Sequence, residues 1–247
     1  MDNHIVINID NGVLEIQFSR PEKKNALTNQ MYGSITEAML QALENDEIHV
    51  ILFSAIGNVF TAGNDLVDFM EISESPDIEP KAQEFILLLA EYRKPIIAAV
   101  TGSAIGIGTT MLLHCDLVYI AENAKLLVPF VNLALVPEAG SSLLLAARIG
   151  HAKAFSMFVL GESITGTEAA QLGLANSAVS AENVLELARS KAKELVTKSI
   201  KSVEQTKLLM RNSPLILDQI QKENTYFSER LRSSEAKEIF RNFIEKK

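Results

Sequence analysis

Residues 95–108 read Pro-Ile-Ile-Ala-Ala-Val-Thr-Gly-Ser-Ala-Ile-Gly-Ile-Gly, and this stretch decides the fold. Its apolar first half predicts a strand that is buried on both faces. The glycines that follow permit close backbone approach at the start of a helix expected at 106–114. Similar buried strands are predicted at 50–53 and 116–120, with a helix between strands at 81–93. Strands that alternate with helices in this way predict an α/β fold with a largely parallel sheet.

The sequence on either side of this region extends the pattern. Residues 5–18 alternate around Asn11-Gly12 and predict a β-hairpin. After about residue 140 the strand pattern stops, and we expect only helices from there onward. The last of them, near 235–244, is amphipathic, and we expect it to pack on its own body or on a neighbouring subunit. The polar loop at 73–80 contains two prolines, so we expect it to be mobile and to border a site.

Composition excludes several functional classes. Hydrophobic residues make up 47% of the 247 residues, which is enough to bury one large core. The net charge of −8, with no Lys/Arg-rich run, argues against nucleic acid as a partner. We expect no signal peptide, since the first residues show no basic segment followed by an apolar stretch, and no membrane-spanning helix, since no apolar run is long enough. The single cysteine, Cys115, fits a reduced, cytoplasmic setting. The four histidines lack ligand spacing, so no metal site is predicted.

Two turns after buried strands offer free backbone N–H groups. The first, at 60–66, reads Phe-Thr-Ala-Gly-Asn-Asp-Leu, and its N–H groups can bind an oxyanion. The same residues also fit an ordinary strand-to-helix turn with Asp65 as the N-cap. The second is the glycine cluster at 102–108, where a helix N-terminus adds positive potential. This cluster lacks the lysine of a phosphate-binding loop, and it fits tight packing of a helix against a sheet equally well.

Glu138 is the candidate for acid–base chemistry. It lies in the apolar run Leu-Val-Pro-Glu-Ala-Gly at 135–140, just before a predicted helix. Acidic residues are common at helix starts because the helix dipole favours them there. The other interpretation is a desolvated general base, whose pKa would be raised by burial and lowered by the helix terminus. The local pattern leaves both interpretations open.

These three elements, in this order, resemble the crotonase (enoyl-CoA hydratase/isomerase) family. The matching stretches are 20–27, 60–66, 100–119 and 129–142. The resemblance implies an α/β fold with a crotonase-like ββα spiral core at 1–190, which holds the active site. It implies a helical C-terminal trimerisation region at 191–247. It also implies an acyl-CoA thioester as the substrate, no separate cofactor, no nucleic-acid or membrane partner, and a homotrimer or a dimer of trimers.

The resemblance also assigns roles to individual residues. The thioester carbonyl would lie between the backbone N–H groups of Asn64 and Ile107, with Glu138 as the catalytic base. Contacts with coenzyme A would come from Lys24, Ala26, Ala62, Asp65 and Leu66. The acyl pocket would be lined by Phe69, Thr110, Phe130 and Leu135.

Two departures from the hydratases of this family decide the predicted reaction. Those hydratases carry one glutamate where Thr110 stands here, and a second where Phe130 follows Pro129. Hydration needs groups that activate water and protonate carbon, and neither threonine nor phenylalanine can do so. Glu138 instead falls where the Δ3,Δ2-enoyl-CoA isomerases of the family carry their base, so we predict such an isomerase. A hydratase-like enzyme, a thioesterase and a non-catalytic acyl-CoA-binding protein on this scaffold are the alternatives.

Overall fold

The computed structural model describes residues 4–75 and 79–245. In this part of the chain, the strands are β1 (Ile5–Asp10), β2 (Val13–Phe18), β3 (Val50–Ala55), β4 (Val59–Thr61), β5 (Ile96–Val100), β6 (Ser103–Ile105), β7 (Leu117–Ala121), β8 (Lys125–Leu127), β9 (Ile164–Thr165) and β10 (Ser177–Val179). The α-helices are α1 (Asn29–Glu44), α2 (Leu66–Glu74), α3 (Lys81–Glu91), α4 (Ile107–Thr110), α5 (Ser141–Ile149), α6 (His151–Phe155), α7 (Gly166–Gln171), α8 (Ala181–Val196), α9 (Ile200–Met210), α10 (Ser213–Leu231) and α11 (Ser234–Glu245).

The strands form two sheets. The larger has the order β1-β2-β3-β5-β7-β10, and the smaller has the order β4-β6-β8-β9. The β1–β2 hairpin is antiparallel, and the other pairs of the larger sheet are parallel. Every residue of β3 and β5 is buried, as the apolar runs at 50–53 and 95–100 predict. Asn11 and Gly12 both have positive φ, which is what a tight hairpin turn requires.

Successive strand pairs divide between the two sheets. β3, β5 and β7 lie in the larger sheet, and the strand that follows each of them lies in the smaller one. A helical segment closes each turn before the chain returns to the larger sheet. This repetition confirms the predicted α/β fold with a ββα spiral core. It also brings the segments that follow β4 and β6 side by side, because those two strands pair in parallel.

The expectation that strands stop after residue 140 is wrong. β9 pairs antiparallel with β8, and β10 extends the larger sheet by pairing in parallel with β7. β9 has two residues and β10 has three, and neither carries a continuous buried run. Hydrophobic patterning therefore cannot reveal them, since their position depends on an open strand edge elsewhere in the fold. The predicted helix at 106–114 is α4 followed by a 3₁₀ turn at Met111–His114.

The C-terminal part of the chain is helical, as predicted. α8 packs against β3, β5 and β7, α10 packs against α3 and α5, and α11 packs against α2. The division predicted between residues 190 and 191 falls inside α8, and that division and the oligomeric state stay predictions. Of the predicted loop at 73–80, residues 76–78 lie outside the described residues. Among the helices that are described, none combines the length and apolar character needed to cross a membrane.

Candidate active site

The Asn64 N–H group points away from the strand segment beside it. Leu27 N–H donates to the Gly63 carbonyl at 2.8 Å, and Asp65 N–H donates to the Leu27 carbonyl at 2.9 Å. This is a parallel bridge in which Leu27 bonds to the residues on either side of Asn64. The N–H of the residue between them is therefore directed to the opposite side. The side chain is also fixed, because Tyr32 Oη–H donates to Asn64 Oδ1 at 2.5 Å.

Ile107 supplies a second free N–H at the start of α4. Its predecessor Gly106 has φ +58° and forms the N-cap, so the chain turns sharply between β6 and the helix. The N–H groups of Thr109 and Thr110 both donate to the Gly106 carbonyl, at 2.9 and 3.0 Å. The first N–H of a helix has no such intrahelical acceptor. The turn therefore presents the Ile107 N–H to whatever lies beyond the helix N-terminus.

Two glycines bring these donor segments into contact. A Cβ at Gly63 would lie 2.8 Å from the carbonyl oxygen of Ile105, and Gly63 has φ +90°. A Cβ at Gly108 would lie 2.5 Å from Thr61 Cγ2. Both distances are too short for a real side chain, so only glycine permits this approach. The N–H groups of Asn64 and Ile107 thus lie on adjacent segments, as an oxyanion-binding pair requires.

Gly63→Ala is expected to destabilise the fold and disturb this pair. The change forces a side chain into a left-handed conformation and against Ile105, at a cost of about 2 kcal/mol in the free energy of unfolding. Denaturant unfolding measures the loss. Gly33→Ala is the matched control, because nothing lies within 4 Å of that position in α1. The control should gain up to about 1 kcal/mol, and equal unfolding midpoints for the two variants would contradict the prediction.

Three of the residues predicted to contact coenzyme A lie on two hydrogen-bonded segments. Lys24 and Asn25 both have left-handed backbones, with φ of 52° and 53°. Ala62 N–H donates to the Lys24 carbonyl at 2.9 Å, which joins this loop to the oxyanion segment. Asn25 is fully buried, and its amide group donates to two main-chain carbonyls. The Ala26 carbonyl accepts from Arg20 Nη1 at 3.0 Å. Lys24, Ala26 and Ala62 are therefore neighbours, and their roles in binding stay predictions.

Asp65 connects this loop to α2. Its carboxylate pairs with Arg20 Nη1 at 2.7 Å and accepts from the N–H of Val67 at 3.1 Å as the N-cap of α2. Burial opposes ionisation, but the hydrogen bond and charge of Arg20 hold the pKa of Asp65 below its ordinary value. Leu66 is the first residue of α2 and is partly buried. The predicted alternative role of Asp65 as a helix cap is thus confirmed, and it coexists with the ion pair.

Glu138 is a buried carboxylate with one hydroxyl donor. It is only 5% exposed, and Thr110 Oγ1–H donates to its Oε1 at 2.9 Å. Burial raises the pKa of Glu138 to about 7, the Thr110 hydrogen bond lowers it, and the charge of Glu223 raises it further. Thr110 and Ile107 lie on the same turn of α4. The charge of Glu138 also raises the pKa of Tyr32, whose hydroxyl holds Asn64. Glu138 therefore lies against the helical turn that carries the Ile107 N–H.

The four predicted acyl-pocket residues lie in different surroundings. Thr110 contacts the base directly. Phe130 and Leu135 are both buried, and Leu135 N–H donates to the Phe130 carbonyl at 2.8 Å. Phe69 on α2 is partly buried, and its ring centroid lies about 6 Å from the rings of Phe227 and Phe240 on the C-terminal helices. The C-terminal helices therefore cover α2, and the contact of these side chains with an acyl chain stays a prediction.

Three further residues of the site carry no sequence motif. Tyr32 follows the apolar spacing of α1 and so resembles an ordinary core residue. His114 lies inside an apolar run and binds the Ala139 carbonyl at 2.7 Å. Glu223 belongs to α10 and contacts the segment after Glu138 across more than 80 residues of sequence. His114 and Glu223 differ from ordinary residues only in being polar and buried, and their burial is seen only in the folded chain.

Comparison with known proteins identifies the family of this chain. A model of the enoyl-CoA hydratase/isomerase family matches residues 8–247. Enoyl-CoA delta isomerase 2 of Rattus norvegicus is 36% identical over 177 residues, which are 69% of this chain and 44% of the rat protein. The 1,2-epoxyphenylacetyl-CoA isomerase of Escherichia coli K12 is 30% identical over 203 residues, which are 80% of this chain and 78% of that protein.

The fold has a solved relative over almost its whole length. The structure of Pseudomonas aeruginosa OdaA superposes with a TM-score of 0.92 at 43% sequence identity, covering 98% of this chain and 99% of that one. The chain spans less than half of the rat isomerase but nearly all of OdaA. The spiral fold, the paired N–H donors and the match over residues 8–247 lead to one conclusion. The chain belongs to the enoyl-CoA hydratase/isomerase family, the crotonases.

Proposed function

We propose that this protein is a Δ3,Δ2-enoyl-CoA isomerase with Glu138 as its single base. One observation carries the proposal: the buried carboxylate of Glu138, with a pKa of about 7, accepts a hydrogen bond from Thr110, one helical turn from the Ile107 N–H. A base of this pKa exists in both protonation states near neutral pH. It can therefore accept a proton and return it without help from a second acid.

The proposed reaction moves one proton and one double bond. Glu138 removes a proton from C2 of a 3-enoyl-CoA, and the electron pair of that C–H bond forms the C1–C2 double bond. The π electrons of the thioester carbonyl move to its oxygen, which the N–H groups of Asn64 and Ile107 bind. The dienolate then takes a proton from the Glu138 carboxyl group at C4. The oxygen regains its double bond to C1, and the new double bond lies between C2 and C3.

The surroundings of Glu138 favour this shuttle over hydration. Thr110 stands at one of the positions where a second carboxylate would activate water, and its hydroxyl donates a hydrogen bond to Glu138. Burial limits the access of water to the base, which protects a dienolate from competing reactions. The hydrogen bond from Thr110 also favours the ionised form that must start the cycle. The similarity to enoyl-CoA delta isomerase 2 supports the same assignment.

The test is the conversion of trans-3-hexenoyl-CoA to the 2-trans isomer, followed by the ultraviolet absorbance of the conjugated thioester. We expect turnover of 3-enoyl-CoA and much slower hydration of trans-2-hexenoyl-CoA, because the second acid is absent. Hydration as fast as isomerisation would instead indicate a hydratase-like enzyme. Release of free coenzyme A would indicate a thioesterase. Binding of acyl-CoA with no turnover of either substrate would indicate a non-catalytic member of the family.

A further inference from the structure

The carboxylate of Glu223 lies at the N-terminus of α5, directly after the base. Glu223 is on α10 and is 5% exposed. Its Oε2 accepts from the N–H of Gly140 at 2.6 Å, and its Oε1 accepts from the N–H of Ser142 at 2.9 Å and from the Ser142 hydroxyl. The first N–H groups of a helix have no intrahelical acceptor, and the N-cap of α5 is a glycine. Glu223 therefore supplies, from another helix, the acceptor that α5 lacks.

The peptide group between Ala139 and Gly140 is held at both of its polar atoms. Glu223 binds its N–H, and His114 Nε2 lies 2.7 Å from its carbonyl oxygen. Arg211 Nη2 contacts His114 Nδ1, and a guanidinium group can only donate. Nδ1 is therefore the acceptor, and Nε2 carries the proton that is donated to Ala139. Burial lowers the pKa of His114 to about 3, so the ring is neutral.

The held segment has a backbone that needs such support. Ala139 has φ +61° and Gly140 has φ +69°, so two consecutive residues are left-handed. A left-handed alanine persists only where its surroundings enforce it. Glu138 is the residue immediately before this pair. The direction of its side chain therefore depends on contacts made by α10 and by the end of α9.

The negative charge of Glu223 also reaches Glu138. The donors on both oxygens of Glu223 favour its ionised form, although burial raises its pKa. Gln219 Nε2–H donates to Ser142 Oγ, which leaves the Ser142 hydroxyl proton for Glu223. Two nearby carboxylates disfavour each other's ionisation, and the charge of Glu223 raises the pKa of Glu138.

Other ionisable side chains lie in this part of the described chain, but the charge that raises the pKa of Glu138, in addition to burial, is that of Glu223. Burial raises the pKa of Tyr32 on α1, and the charge of Asp68 on α2 acts on Tyr32. His114 after α4 is neutral, and Arg211 after α9 contacts it. Glu223 is therefore the group whose charge acts most directly on the base.

We propose that Glu223 is a positioning residue for Glu138: its carboxylate fixes the segment that carries the base and places a negative charge near it. This proposal rests on the isomerase proposal only for the role of Glu138 in turnover. A role limited to capping α5 would stabilise the helix without altering the titration of Glu138. The protonation of Glu138 in the ligand-free protein therefore separates the two roles and needs no substrate.

The test is a ¹³C NMR titration of the Glu138 carboxyl group in the full chain. Its resonance is assigned by its loss in Glu138→Gln. In Glu223→Gln we expect the titration midpoint of Glu138 to move to lower pH, because a like charge is removed. Asp218→Asn is the matched control, since it removes a charge from an exposed position on the same helix, where Asp218 pairs with Lys222. An equal midpoint in Glu223→Gln and in the control would overturn the proposal.

Turnover of 3-enoyl-CoA supplies the second readout. Glu223→Gln should lower kcat about tenfold with little change in KM, and the acid limb of the kcat/KM profile should move to lower pH. Ser142→Ala keeps the Glu223 carboxylate with its two N–H donors and loosens the same segment, so it should lower kcat less and leave the midpoint of Glu138 near that of the wild type. A folded Ser142→Ala protein keeps the test decisive if Glu223→Gln fails to fold. In that case, a lowered Glu138 midpoint in Ser142→Ala would show that segment position alone controls the base, and would overturn the proposal.

Absence of isomerase activity in the wild type would contradict the proposed function. The role of Glu223 would then be tested by the NMR titration alone.

Discussion

Glu138→Gln should lower kcat for isomerisation of a 3-enoyl-CoA by about 10³-fold, while KM changes little. The amide cannot take a proton from C2, and no second carboxylate occupies the positions of Thr110 and Phe130. A loss of this size corresponds to about 4 kcal/mol of transition-state stabilisation. The N–H donors of Asn64 and Ile107 remain in place, so binding of the thioester should persist. Steady-state kinetics on trans-3-hexenoyl-CoA measure both constants.

The control for this variant is Glu122→Gln, which removes a carboxylate from an exposed position just after β7. Its kinetics should match those of the wild type. If Glu138→Gln retained more than about a tenth of wild-type kcat, another group would be moving the proton. Glu138 would then have to be abandoned as the sole base.

The same substitution should stabilise the protein above neutral pH. Burial raises the pKa of Glu138 from 4.5 to about 7, so the folded chain holds this proton more tightly than the unfolded chain. As pH rises from about 4.5 to about 7, the unfolded chain releases the proton first, and the free energy of unfolding of the wild type falls. The full difference corresponds to about 3 kcal/mol at pH 8. Glu138→Gln never ionises, so it should escape this loss.

Denaturant unfolding at a series of pH values measures the effect. The gain of Glu138→Gln over the wild type should be greatest at pH 8 and should vanish as pH falls to about 4.5. Glu168→Gln is the control of opposite sign. Glu168 is partly exposed and caps α7 together with Thr165, and the hydrogen bonds from Thr165 lower the pKa of Glu168. Its loss should destabilise the protein at neutral pH and matter less in acid. A pH-independent gain for Glu138→Gln would mean that Glu138 ionises as readily in the folded state as in the unfolded one.

Local sequence predicted the parts of this fold whose cause is local. The buried runs at 50–53 and 95–100 became β3 and β5, since a strand covered on both faces must be apolar throughout. The glycines at positions 63 and 108 are likewise explained by local packing, because the two donor segments approach too closely for a side chain. The resemblance to the crotonase family rested on the order of these elements. It favoured a catalytic base over an ordinary helix-start acid as the interpretation of Glu138.

The contacts that define the base could not be predicted in the same way. The sequence predicted that Thr110 replaces an acid of the hydratases and lines the acyl pocket. Its hydrogen bond to Glu138 could not be predicted, because that bond depends on how α4 and the loop before α5 meet. Glu223 lies in a helix with ordinary amphipathic spacing, and nothing in that spacing distinguishes a buried glutamate from a solvated one. β9 and β10 depend on free strand edges in the same manner. Each of these features is produced by tertiary packing between distant segments.

The divided construction of the site has a consequence for how its chemistry can change. We propose that the thioester is bound by segments that lie along or just after β2, β4 and β6, at 20–27, 60–66 and 103–110. The proposed proton transfer depends on Glu138, on the two left-handed residues Ala139 and Gly140, and on side chains from the last third of the chain. Substitutions in α9 and α10 should therefore alter or abolish proton transfer while the protein still binds the same class of acyl thioester. A chain of this design can acquire a new reaction, or become a pure carrier of its ligand, without rebuilding its core.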